Sequence, residues 1–151
     1  MMKILCVGKI KEKFYNDAIN EYLKRLSKYT KIEIIEVPDI FEQNIENIKK
    51  KEKELLNKHI SEKDYVITLE IEGNRLSSSD FSKKIEETLF INSNIVFIIG
   101  GSYGLDEEIK NRSNYALSFS KLTFPHQLFR IILLEQIYRA FKIINNESYH
   151  K

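Results

Sequence analysis

Apolar and polar positions along this chain switch between two periods. Short runs that are apolar or β-branched at almost every position alternate with longer stretches in which apolar residues recur every three or four positions. Residues 3–8 (Lys-Ile-Leu-Cys-Val-Gly) predict a short opening strand. Phe14, Ala18, Ile19, Tyr22, Leu23 and Leu26 then share one helical face and predict an amphipathic helix over 14–28. Residues 31–37 alternate with β-branched side chains and stop at Pro38-Asp39, a strand ended by a turn signal. A highly charged helix is expected over 42–60, with a thin apolar stripe of Ile45, Ile48, Leu55 and Leu56. A third strand over 64–69 is expected to reach a turn at Gly73-Asn74, after which Ser77, Ser78 and Ser79 offer N-cap hydroxyls for a helix over 79–90. Residues 94–99 are apolar at nearly every position, the pattern of a central parallel strand buried on both faces. A short helix over 105–112, a fifth strand over 115–120 and a last helix over 127–145 complete the series.

Strands alternating with helices predict an α/β fold, a parallel sheet of about five strands with helices on both faces. No repeat, linker or break in composition divides the chain, so residues 1–151 are expected to form a single domain. The last helix adds a further expectation. Ile131, Ile132, Leu133, Leu134, Ile137, Tyr138, Ala140, Phe141, Ile143 and Ile144 leave it hardly any polar face. A helix that is apolar all round is buried all round, and one sheet covers only one side of it. A second copy across a two-fold axis is the simplest cover for the other side, so a homodimer is expected.

Composition changes the picture little. Apolar residues make up 42% and charged residues 30%, with a net charge of +2, which is ordinary for a soluble domain and far from a strongly basic nucleic-acid binder. From Lys121 onward five cations (Lys121, Arg130, Arg139, Lys142, Lys151) face two carboxylates (Glu135, Glu147), either ordinary helix surface or a modest basic face for a phosphate backbone. The lone Cys6 lies in an apolar run, reads as a core residue and allows no internal disulfide, as in a reducing compartment. No stretch approaches the roughly 20 apolar residues of a membrane span, and no signal-peptide pattern opens the chain. A cytoplasmic protein is expected, with no membrane partner. No Cys/His ligand cluster points to a metal site.

The candidate chemistry sits in the last third. Gly100-Gly-Ser-Tyr-Gly104 stands where a strand ends. It is either a loop that lets a ligand approach bare backbone or a tight strand-to-helix turn. It matches neither the dinucleotide fingerprint nor a P-loop. Phe119-Ser-Lys-Leu-Thr-Phe124 followed by Pro125-His126 is a second strand end. Its main chain can read an adenine edge while Leu122 and Phe124 pack on the ring, or it simply starts the next helix. Two such strand ends side by side make a ligand crevice. The chain closes on Tyr149-His150-Lys151 directly after a buried helix. Those three residues either fray or are held over a neighbouring crevice.

Taken together, six segments resemble one family. They are Lys3–Gly8, Ile67–Ile71, Ile98–Ser102, Leu117–His126, Leu134–Lys142 and Tyr149–Lys151, in order and at matching spacing along the whole chain. The chain is identified as a member of the RlmH family, small bacterial SPOUT-class methyltransferases that act on N3 of a pseudouridine in 23S ribosomal RNA. The resemblance implies a C-terminal trefoil knot, S-adenosyl-L-methionine as cofactor, and a homodimer acting on large-subunit ribosomal RNA in the assembled ribosome. It implies cofactor contacts at Leu69, Gly100, Phe119, Ser120, Lys121, Leu122, Thr123 and Phe124. It associates the tail, Tyr149, His150 and Lys151, with substrate handling, and Arg139 matches the arginine of the family's last helix. His150 is one candidate base, while Lys151 or Arg139 would stabilise an anion instead. The alternatives are a non-catalytic RNA-binding module of the same fold and a knotted methyltransferase with a transfer-RNA target.

Overall fold

A computed structural model describes residues 1–151. The first strand, β1 (Met2–Val7), shows how the sheet is built. Met2, Ile4 and Cys6 enter one core while Leu5 and Val7 enter the other, as a period of two requires. It is followed by α1 (Lys13–Leu26), β2 (Ile32–Val37), α2 (Ile45–Asn57), β3 (Tyr65–Arg75), α3 (Ser78–Ile91), β4 (Ile95–Ile99), α4 (Glu107–Arg112), β5 (Tyr115–Ser118) and α5 (His126–Ile144). All strands are parallel, in the order β2-β1-β4-β3-β5. The larger core lies between the sheet and α1, α3 and α5; the smaller lies between the opposite face and α2 and α4. All five residues of β4 are buried, as expected of a central strand covered on both sides. Cys6 is a core residue, and burial pushes its thiol up to about 12.

Caps account for several boundaries. Ser77 Oγ accepts from the Asp80 N–H at 3.0 Å, and Asn44 Oδ1 accepts from the Asn47 N–H at 3.1 Å. The turn expected at Gly73-Asn74 does not form. Strand β3 instead shifts register between Leu69 and Asn74 and pairs again with β5, Asn74 opposite Leu117 and Arg75 opposite Ser118. Gly73 serves this close approach, because a Cβ there would stand 2.9 Å from the backbone of Ala116 and Leu117.

Helix α5 departs from the expectation of complete burial. Seven of its residues are buried between α1, α3 and the sheet, but Glu135, Gln136 and Arg139 break the apolar outer face. The largest departure is Arg130, counted from sequence among surface cations. It is 1% exposed. Its Nη2 donates to the carbonyls of Val7 (2.9 Å) and Gly8 (2.7 Å), and its Nη1 pairs with Glu36 at 2.6 Å. Glu36 in turn accepts from the Ile10 N–H at 2.9 Å. The chain leaving β1, where Gly8 has a φ of +92°, is thus pinned to the start of α5. Arg130→Met should lower the unfolding free energy by about 3 kcal/mol, because two buried carbonyls and a carboxylate lose their donor. Glu36→Gln should cost no more than about 1 kcal/mol, since that side chain is 32% exposed. Urea denaturation of both variants measures the difference, and equal losses would mean that the carbonyl bonds contribute nothing.

Candidate active site

Connections leave the sheet in different directions at β3 and β4. Helix α3 carries the chain from β3 to β4 over one face, and α4 carries it from β4 past β3 to β5 over the other. A crevice opens outside the carboxyl ends of strands where connections diverge in this way. The structure has a cavity of about 390 Å³ there, within the range of small-molecule sites. Of the residues expected to touch a cofactor, Leu69, Gly100, Phe119, Ser120, Leu122, Thr123 and Phe124 line it. Lys121 does not; it is exposed and stands outside the lining.

The loop from 119 to 124 is held by aromatic packing. Phe119 and Phe124 lie 5.0 and 5.7 Å, centroid to centroid, from Phe129 of α5, and Phe119 also meets Phe81 of α3 at 6.4 Å. Ser120 accepts from the Leu122 N–H at its hydroxyl and from the Ser118 hydroxyl at its carbonyl. The N–H groups of Phe119, Lys121, Thr123 and Phe124 donate to nothing within the chain. Free main-chain groups beside the 71% exposed Leu122 make a wall that can bond a planar heterocycle and pack on it.

Gly100 lines the cavity, and the packing of its own loop gives a second reason for a glycine there. A Cβ there would stand 2.9 Å from the Leu105 side chain, so the space is filled by the loop's own packing. Gly101 faces α2: a Cβ on it would stand 2.9 Å from Glu52 Oε2. Glu52 lies in the charged helix that reads from sequence as bland surface, yet it is 6% exposed. Burial, with a smaller push from the Asp39 carboxylate, raises its carboxyl to about 6. A folded-state pKa above the unfolded one means that the native chain holds the proton more tightly. The ionised group therefore weighs against folding as pH rises through 6. Glu52→Gln should gain about 2 kcal/mol over the parent at neutral pH and nothing near pH 4, read from urea denaturation at the two pH values.

The closing residues are ordered on their own helix. Asn146 takes a left-handed φ of 53° and reverses the chain after α5. Glu147 then accepts from Tyr29 Oη at 2.7 Å and pairs with Lys142 at 3.2 Å. Tyr149 packs edge-on against Tyr138 at 4.9 Å, lies under the Arg139 guanidinium at 4.8 Å and donates to Glu135 at 3.1 Å. Burial and the Glu135 carboxylate push its phenol up to about 12. Arg139 pairs with Glu135 and donates to His150 Nδ1 at 3.1 Å. The structure therefore brings Arg139, Tyr149 and His150 together, leaves Lys151 exposed, and keeps all four out of the cavity lining. Phe129 lines the cavity, and Arg139 stands ten residues further along the same helix, about 15 Å at the helical rise. Sequence reasoning missed Arg130, Glu135 and Glu52. Arg130 had a signal, since it falls on the same helical stripe as Leu133, Leu134 and Ile137, all fully buried.

A crevice at the carboxyl ends of a parallel sheet, walled by strand-end loops with free main-chain groups, defines an open α/β protein with a cavity sized for a small organic ligand. The chain belongs to the SPOUT methyltransferase family: the family described as "Predicted SPOUT methyltransferase" matches residues 1–150. It is 55% identical over 159 residues to a ribosomal RNA large subunit methyltransferase H of Clostridium botulinum (strain 657 / Type Ba4), covering 99% of both chains. A protein of the same name from Caldicellulosiruptor saccharolyticus is 51% identical over 154 residues, with both chains fully covered. The fold is also that of a solved structure from Haemophilus influenzae Rd KW20, described as a probable methylase family protein. The two share a TM-score of 0.60 at 11% identity, over 99% of this chain and 70% of the other.

Proposed function

We propose that this chain transfers a methyl group from S-adenosyl-L-methionine to large-subunit ribosomal RNA, at N3 of a pseudouridine and on the assembled ribosome. The observation that carries the proposal is the full-length identity of 55% to a relative whose name states a ribosomal RNA large subunit methyltransferase. The base, its nitrogen and the ribosomal setting rest on the finer resemblance of the six segments. The trefoil knot, the homodimer and a cytoplasmic location belong to the same proposal.

The cavity fits the cofactor on its own terms. Its walls combine apolar side chains (Leu69, Leu117, Phe119, Leu122) with unengaged main-chain groups of the 119–124 loop. When bound, S-adenosyl-L-methionine supplies a methyl group carried on a positively charged sulfur. The residues of this chain orient and exclude water: the 119–124 loop takes the adenine edge, and the Gly100–Gly104 turn, packed by Leu105 and Glu52, forms the opposite wall. Tyr149, Arg139 and His150 handle the RNA base by stacking and by cationic hydrogen bonds. They sit about 15 Å along α5 from the cavity, so a second copy of the chain brings its tail to the first copy's cavity. That requirement supports the homodimer independently of the half-apolar outer face of α5.

Mass spectrometry of ribosomal RNA from a strain lacking the gene tests the function: a single missing methyl on one large-subunit pseudouridine is expected, and an unchanged rRNA map would refute it. Deleting Tyr149–Lys151 should leave calorimetric affinity for S-adenosyl-L-methionine within about threefold while methyl transfer to ribosomes falls at least about 100-fold, the scale of a lost acid–base or electrostatic group. Normal transfer by the truncated chain would remove the tail from the mechanism.

A further inference from the structure

Two histidines stand in relation to this site, with opposite hydrogen-bonding roles. His150 Nδ1 lies 3.1 Å from Arg139 Nη1. A guanidinium only donates. Nδ1 is therefore the acceptor, the proton of the neutral ring sits on Nε2, and the tail presents a donor where a base would need a lone pair.

His126 is the opposite case. It lines the cavity, and neither ring nitrogen bonds to another group of the chain. Half-burial disfavours its positive form first, and the Arg130 guanidinium one turn along α5 does so second; Asp39, in the loop after β2, opposes them more weakly. Its place at the first residue of a 19-residue helix adds the positive end of the helix dipole. The remaining charged groups in the cavity lining are Glu70, Glu72 and Lys110. Lys110 lies within 4.0 Å of Glu70, so the two largely offset each other. Arg130 cannot swing away, being fixed by Glu36 and by two carbonyls. These surroundings favour the neutral imidazole, which carries one nitrogen with an unshared pair on a side chain that lines the cavity.

We propose that His126 is the proton acceptor for the target base, and that His150 with Arg139 acts from the partner's tail as donor to the charge that develops on that base. The inference rests on the methyltransferase reading above. The proton on N3 passes to the free nitrogen of His126. The N3 electron pair closes on the methyl carbon, the pair of the broken S–C bond stays on sulfur, and a neutral thioether leaves. His126 returns its proton to water when product departs. The negative charge that would gather on the carbonyl oxygens flanking N3 meets His150 Nε2–H and Arg139.

The test compares the full-length parent with His126→Asn and His126→Ala on large ribosomal subunits that lack the methyl group. Transfer by either variant should fall by roughly 10² to 10⁴, with affinity for S-adenosyl-L-methionine in calorimetry kept within about threefold. Added imidazole should restore part of the rate to His126→Ala, in proportion to its neutral fraction. In the parent, nuclear magnetic resonance of the imidazole should show His126 titrating below its usual range. A full rate in His126→Asn, failure of imidazole to rescue, or loss of cofactor affinity in both variants would overturn the assignment. A parent chain that transfers no methyl at all would overturn the underlying reading, and the inference with it.

Discussion

One buried guanidinium ties the two ends of the site to each other. Arg130 reaches from the second turn of α5 to the carbonyls at the end of β1 and just beyond it, and Glu36 of β2 completes its partners. A buried charge of this kind persists only when most of its donors are occupied, because desolvating it costs several kcal/mol; Nη1 and Nη2 of Arg130 are bonded, while its buried Nε has no partner. Four of its consequences meet at the cavity. The start of α5 is held down on the sheet, the 119–124 loop that precedes it has a fixed far end, Phe129 is placed against Phe119 and Phe124, and His126 acquires a cation one turn away. The site therefore depends on a contact between residues more than 120 positions apart in sequence.

Helix α5 also acts as a ruler. His126 and Phe129 at its amino end line the cavity, and its carboxyl end leads into the tail. On the function proposed above, a site made of both ends draws them from two chains, because one helix cannot bring its own two ends to one point. The ordering of the tail serves such an arrangement. Glu147, bound by Tyr29 and Lys142, and Glu135, bound by Arg139 and Tyr149, fix the tail on its own helix within the single chain. Less conformational entropy then remains to be lost on assembly.

Much of this was legible in the sequence because the physics behind it is local. Period-two and helical spacing located all ten elements, and the apolar run at 94–99 identified the central strand. The strand-end positions of Leu69, Gly100 and the 119–124 loop predicted a shared crevice, since parallel strands align their carboxyl ends. What was not legible depended on distant partners. Gly73 reads as a turn until β5 lies beside it. Arg130 and Glu52 read as surface charges; the helical stripe of Arg130 hints at burial, but its partners Val7 and Gly8, and Gly101 against Glu52, lie far away in the chain. Gly100 lines the crevice, while its packing against Leu105, five residues on, depends on a turn that the sequence does not display.

Charge sets a further constraint on how such a protein meets RNA. The chain carries 24 basic and 22 acidic side chains, and several of the former are already spent on internal pairs such as Arg130–Glu36 and Lys142–Glu147. With a net charge of only +2, little positive excess is available to release counterions from a phosphate backbone, so sequence-independent attraction is weak and fades further with salt. On the function proposed above, discrimination must then come from the shape of a folded target and from a base presented to the cavity. A flexible single strand would offer neither the shape nor a fixed base, whereas an assembled ribosomal particle offers both at once.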